Sequence, residues 1–171
     1  MTKLQSSPIA QIAAVARGEN GWTLVSRVHS KPGEALFPFD GVLRDRPSRD
    51  SVQISATAHI DLPEDVTFAD RLERYAWCFL NHSCAPNTHI VGRMLIASTE
   101  IRPGDELRFD YSVNEFELAE PFDCGCGAAE CLGQIRGFRW LSDEQRTSRL
   151  ALASPWVLAQ DAATRAPERR A

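Results

Sequence analysis

The sequence predicts a mainly β fold (β+α), built from small sheets with a few helices, and three observations predict it. Short apolar runs, several alternating with period two, follow one another along the chain between Gly, Pro and charged turns. Two polar stretches interrupt them: NHSCAPN, from Asn81 to Asn87, and ELRFDY, from Glu106 to Tyr111. Three cysteines then follow at C-x-C-x4-C spacing, Cys124, Cys126 and Cys131.

With 171 residues the chain is long enough for one domain with small additions and a real core. A hydrophobic fraction of 43% and a charged fraction of 25% are those of an ordinary globular protein. A net charge of -4 argues against broad neutralisation of phosphates, so no direct nucleic-acid partner is expected. No apolar run approaches the roughly 20 residues of a membrane-spanning helix, so no membrane partner is expected either. Lys3 precedes PIAQIAAVA, which Gln11 interrupts, and this stretch reads as a first strand rather than a secretion signal.

Taken in order, Ile9 to Ala16 is apolar and partly β-branched, and Gly18, Asn20 and Gly21 break it, so a strand and a turn fit. Trp22 to Val28 and Glu34 to Phe39 read as two more strands around the turn KPGE, and residues 40 to 50 as a solvated loop. Val52 to Leu62 alternates apolar and polar residues throughout and predicts one half-buried strand, with His59 on its polar face. Phe68, Leu72, Tyr75 and Phe79 recur at helical spacing, which predicts a helix over Phe68 to Leu80 delivering the chain into NHSC. Thr88 to Ser98 reads as strand, and a Pro-Gly turn at Ile101 to Glu106 leads into ELRFDY, with Leu107, Phe109 and Tyr111 on one face. Ser142 and Gln145 form a capping-box pattern for a helix to about Ala153, and Ser154-Pro155 starts another. The stretch from Ala162, with Arg165, Pro167, Arg169 and Arg170, reads as a frayed tail.

The chain has five cysteines, an odd number that argues against a disulfide framework. Gly125 and Gly127 let Cys124, Cys126 and Cys131 converge, and zinc is the ion that holds thiolates together with four tetrahedral ligands. For the fourth ligand, Cys84 in its polar turn fits better than Cys78, which sits in the apolar periodic stretch. A nucleophilic pair of His82 and Cys84 is disfavoured, because residues two apart on an extended turn do not usually face each other.

In content and order, NHSCAPN, ELRFDY, the cysteine cluster and Gly137-Phe138 resemble the SET-domain protein-lysine methyltransferases with a post-SET zinc segment, from about Gly21 to Phe138. The resemblance implies a SET domain over 9–115, a post-SET segment over 116–139 and a C-terminal helical extension and tail over 140–171. It implies a β-clip of small sheets in which NHSC and ELRFDY lie side by side through pseudoknot-like threading, rare among folds. The cofactor implied is S-adenosylmethionine, bound by Gly21, Trp22, Asn81, His82 and Leu132. Tyr111 matches the catalytic tyrosine, Phe109 and Phe138 line the substrate channel, and Cys84, Cys124, Cys126 and Cys131 hold a structural Zn2+. The partner implied is a lysine-bearing protein or peptide (a histone, a histone-like protein or another), and the location expected is intracellular: the cytoplasm in a bacterium, with the nucleus also open in a eukaryote.

Three features depart from the family pattern. Thr23 stands at the second glycine of Gly-x-Gly, Cys78 replaces an arginine, and the interval between Phe39 and Leu62 is short. Two of these, Thr23 and the short interval, support an alternative, a non-catalytic SET-like module that binds a peptide or partner.

Overall fold

The computed structural model describes residues 8–18 and 21–165. The expectations placed on Lys3, Asn20, Pro167, Arg169 and Arg170 lie outside the described residues.

The chain opens with one helical turn, α1 (Pro8–Ile12), and not with strand. Pro8 has its φ preset for a helix start, and the turn buries Ile9 before the chain extends into β1 (Ala13–Gly18). β1 pairs antiparallel with β2 (Gly21–Ser26). β3 (Ala35–Pro38) follows the KPGE turn as expected. The expected loop 40–50 contains a strand, β4 (Val42–Arg44), which Gly41 admits: a Cβ there would stand 2.3 Å from the Asp61 carbonyl oxygen.

The alternating stretch 52–62 is not one strand. It folds back on itself as β5 (Val52–Gln53) and β6 (His59–Asp61), antiparallel, with Ile54 N–H bonded to the Ala58 carbonyl at 2.9 Å across small residues. Gln53 and His59 are consequently buried, not solvated, because this hairpin packs against polar partners from the chain's second half.

The apolar period over 68–80 also breaks. Thr67 and Asp70 form a capping box for α2 (Phe68–Glu73), Tyr75 leaves helical geometry, and a 3-10 turn spans Ala76–Phe79. α2 buries none of its residues: Phe68 and Leu72 lie on the surface, where Phe68 packs with Trp22 and Phe79 at ring distances of 5.4 and 6.2 Å. Tyr75, Ala76, Trp77 and Leu80 enter the core after the break.

β7 (Asn81–His82) then begins the first motif. Residues 88–98 form a hairpin rather than one strand: β8 (Thr88–Val91) and β9 (Met94–Ala97) turn at Gly92, whose φ of 60° suits glycine. β3, β9 and β8 make one three-stranded sheet, and β4, β6 and β5 make another.

β10 (Arg108–Phe109) pairs with β7 in parallel, Asn81 opposite Arg108 and His82 opposite Phe109. The β8–β9 hairpin lies between them in sequence, so the second motif passes alongside the first, the threading expected of this fold. Asn87 fastens the crossing: its amide accepts from Arg108 N–H at 2.9 Å and donates to the Glu106 carbonyl at 2.8 Å. The strand ends sooner than expected, since Asp110 caps the single-turn α3 (Tyr111–Asn114) and Tyr111 is helical.

Beyond it, β11 (Phe122–Asp123) and β12 (Gln134–Ile135) pair antiparallel and clasp the cysteine loop. A 3-10 turn at Phe138–Trp140 leads to α4 (Asp143–Arg149), which carries the expected Ser142–Gln145 capping box but stops before Ala153. α5 (Pro155–Arg165) continues through residues 162–165, the first part of the stretch expected to be a frayed tail, with Arg165 paired to Asp143 and Asp161. Phe138, Leu141 and Val157 form a second small core, and Trp156 touches both this and the main core.

Candidate functional site

The parallel pair β7–β10 forms one wall of a cleft of about 1030 Å³. Gly21 and Thr23 of β2, residues 47–52, Cys78, Glu106, Tyr111, Glu115 and the segment 118–126 are also part of its lining.

Tyr111 sits at the join of strand and helix. Its hydroxyl donates to the Leu80 carbonyl, and its ring lies 4.6 Å from that of Phe109. Burial raises its pKa above the ordinary phenol value, so it stays a neutral phenol near pH 7.

His82 does not face the cleft with its ring, which is 3% exposed. Nδ1 accepts from the Tyr111 N–H at 3.1 Å, which places the ring proton on Nε2. Nε2 lies 3.2 Å from Cys84 Sγ, so these two residues do face each other, contrary to the sequence expectation. The turn after β7 curls tightly enough to allow it, with Ser83 N–H held by the Phe109 carbonyl and Ala85 N–H by Ser83 Oγ. Burial pushes the imidazole pKa down to about 4, so the ring is neutral and donates to the sulfur.

Glu106 gathers the polar end of the cleft. Thr23 Oγ1 donates to Oε1, Asn81 Nδ2 to the same oxygen at 2.8 Å, and Arg108 pairs with Oε2. Thr23 therefore turns its hydroxyl to Glu106 from the place where a glycine was expected. Cys78 lines the cleft, and burial pushes its thiol up to about 11.

The four sulfurs of Cys84, Cys124, Cys126 and Cys131 lie within 4.8 Å of one another. Cys126–Cys131 are 3.8 Å apart and Cys84–Cys124 4.0 Å. Sulfurs about 2.3 Å from a common zinc stand about 3.8 Å apart in a tetrahedron, so the cluster fits that ion. Leu132 N–H points at Cys84 Sγ (3.4 Å) and Gly133 N–H at Cys131 Sγ (3.5 Å), donors that suit thiolates. Burial holds the Cys84 and Cys124 thiols above the ordinary range, so a cation is what would keep them ionised. Cys78 stays outside the cluster.

Three other residues picked from sequence lie away from the cleft. Trp22 turns its ring outward to Phe68 and Phe79, and only its carbonyl meets Asn81 Nδ2, at 3.2 Å. Leu132, its N–H drawn to Cys84, packs on the second core, and Phe138 is fully buried in that core. The aromatic residue that reaches the cleft from this region is Phe122, whose ring stands 5.8 Å from His82 and 6.0 Å from Tyr111. Sequence reasoning missed it, although a lone aromatic two residues before Cys124 in a polar stretch was the available signal.

A family model described as "SET domain" matches residues 21–112, more than half of the chain. "Methyltransferase flvH" of Aspergillus flavus is 30% identical over 130 residues, covering 72% of this chain and 67% of the relative. A "Histone-lysine N-methyltransferase, H3 lysine-36 specific" from Yarrowia lipolytica is 26% identical over 174 residues, and there the match covers 93% of this chain but 22% of the relative. Among solved structures, KRYPTONITE in complex with mCHG DNA and SAH superimposes with a TM-score of 0.52 at 26% identity, over 70% of this chain and 28% of that one. The methyltransferase domain of human SETMAR, at 18% identity over 70% of this chain and 55% of its own, shares the fold with a TM-score of 0.51. With its two motifs zipped together as parallel strands and the family model spanning both, this chain belongs to the SET-domain family.

Proposed function

We propose that the protein is an S-adenosylmethionine-dependent protein-lysine N-methyltransferase with a structural zinc site. The observation that carries this reading is the parallel pairing of β7 and β10, which puts Asn81 beside Arg108 and brings Tyr111 to the same cleft. Relatives named as methyltransferases and a SET neighbour solved with SAH support it.

S-adenosylmethionine, when bound, supplies an electrophilic methyl group on a sulfonium centre. Gly21, Asn81 and the backbone of His82 are the residues proposed to hold it, next to the Glu106 carboxylate. The neutral Tyr111 hydroxyl has its proton committed to Leu80, so it is not a base; its lone pairs remain to orient the substrate amine. Phe109, Tyr111 and Phe122 give the cleft apolar walls that exclude water from the reacting nitrogen, whose lone pair attacks once its proton has left for solvent. Alignment then supplies much of the rate. Cys84, Cys124, Cys126 and Cys131 would hold the zinc, whose part is to fasten segment 118–126 over the site.

The test is calorimetric titration of S-adenosylmethionine into zinc-loaded protein, followed by methyl transfer to a panel of lysine peptides. Micromolar binding with one zinc per chain and methylated peptide is the expected result. A full zinc site with no detectable cofactor binding overturns the reading.

A further inference from the structure

One charged group in the cleft has no part in the scheme above. Glu115 N–H bonds the Tyr111 carbonyl at 2.8 Å across the single turn of α3, so the two residues stand one turn apart. Both line the cleft, and Glu115 is only 3% exposed. Its Oε1 accepts from Gln53 N–H at 2.8 Å and from Asn114 Nδ2 at 2.9 Å. Among the described residues no donor reaches Oε2 within hydrogen-bonding distance, and the His59 imidazole stands beside it, with Nε2 3.9 Å away.

Nor do the described residues supply a counter-ion. Among the described residues no lysine or arginine pairs with Glu115, and burial lowers the His59 pKa, against the opposing pull of Asp61, so that imidazole is neutral near pH 7. Among the described residues, His59 Nδ1 is itself buried without a hydrogen-bond partner. A carboxylate in such a place is costly unless a cation meets it. The surrounding wall suits an organic cation, since Phe109 and Tyr111 bring two aromatic rings to the same cleft and the Cys78 thiol stays protonated.

We propose that Glu115 is the ammonium-binding residue of the cleft, with Oε2 receiving the charged amine of a primary alkylammonium such as a lysine side chain. This deepens the methyltransferase reading and rests on it for the identity of the substrate. It also sets a preference among amines. The hydrogen bond to Oε2 requires an N–H, which a quaternary trimethylammonium lacks, so the most methylated form is the one held least.

The probe is butylammonium, titrated calorimetrically at pH 8 into the full chain and into Glu115→Gln, with butanol as the neutral isostere. The expected result is butylammonium binding to the wild-type protein at least tenfold tighter than to Glu115→Gln, with butyltrimethylammonium weaker than butylammonium. Butanol binds both proteins alike. Equal binding of butylammonium to both proteins overturns the proposal. Should Glu115→Gln fail to fold, the wild-type protein decides alone: butylammonium no tighter than butanol overturns it. Ammonium binding without methyl transfer to any lysine peptide counts against the methyltransferase reading and leaves the Glu115 assignment standing.

Discussion

Arg149 Nε lies 3.2 Å from Asp110 Oδ2, a residue 39 positions earlier, and both side chains are more than nine-tenths buried. The other carboxylate oxygen of Asp110 caps α3 through Ser112 N–H at 2.9 Å, and Arg149 Nη2 donates to the Glu130 carbonyl in the cysteine loop at 3.2 Å. One guanidinium thus joins the end of α4, the helix that begins with Tyr111, and the loop that carries Cys126 and Cys131.

Removing it should cost more than a surface ion pair would. Arg149→Ala leaves Asp110 charged and buried, a loss of about 3–5 kcal/mol. Urea unfolding should show this, and adding Asp110→Asn should recover part of it, because the orphaned charge is then gone. If the pair only decorates the surface, the single variant will unfold within about 1 kcal/mol of the wild-type protein.

Tyr111→Phe separates alignment from binding. The phenol is neutral and buried, and its loss removes one hydrogen bond to Leu80 with little change in shape. Cofactor affinity should stay within a few-fold while lysine methylation falls about 10²-fold or more, as expected when a reacting group loses its orientation. Calorimetry and single-turnover methylation on the same sample check both halves.

Much of this was legible because motifs carry their own chemistry. NHSCAPN and ELRFDY named the two strands that pair, and the cysteine spacing with Cys84 named four sulfurs that the fold gathers. The secondary structure was less legible where apolar periodicity was the only guide. The alternation over 52–62 hid a hairpin, because buried Gln53 and His59 look like surface residues until Glu115 and Gln160 are known to face them. The period over 68–80 hid a break at Tyr75, because an exposed aromatic cluster of Trp22, Phe68 and Phe79 imitates a core stripe. Arg149 and Phe122 were hard to read for a different reason: Asp110 and His82, which they meet, lie 39 and 40 residues away, and the only local mark was the position of Phe122 two residues before Cys124.

The cysteines should behave as a set of four and one. Cys131→Ser should lower bound metal well below one zinc per chain and loosen segment 118–126, seen as faster amide exchange there. Cys78→Ala, outside the cluster, should keep full metal content. Chelation of the wild-type protein should reproduce the Cys131→Ser pattern, since the thiolates then lose the charge that holds them together. A Cys78→Ala protein that also loses its metal would show that the ligand set has been misjudged.

Glu115 gives stability a pH dependence of definite sign. Burial raises its pKa to about 7 in the folded chain, against an ordinary value near 4.5, while Gln53 N–H and the Asn114 amide pull the other way. Below about pH 4.5 the carboxyl is protonated in both states and costs nothing. As pH rises towards 7 the unfolded chain ionises and the folded one resists, so stability is lost across that window, by about 3 kcal/mol at most for a shift of this size. Glu115→Gln removes the titration but keeps an oxygen for Gln53 N–H and Asn114. The variant should match the wild-type protein at pH 4.5 and exceed it by about 2–3 kcal/mol at pH 8. The groups facing Glu115, His59 from β6 and Tyr111 from α3, are present in both proteins, so the difference between their urea curves isolates the carboxyl. The same experiment in saturating butylammonium should shrink the gap at pH 8, because a bound cation favours the ionised folded form. A gap that is the same at pH 4.5 and pH 8 would show that the Glu115 carboxyl titrates alike in the folded and unfolded chains.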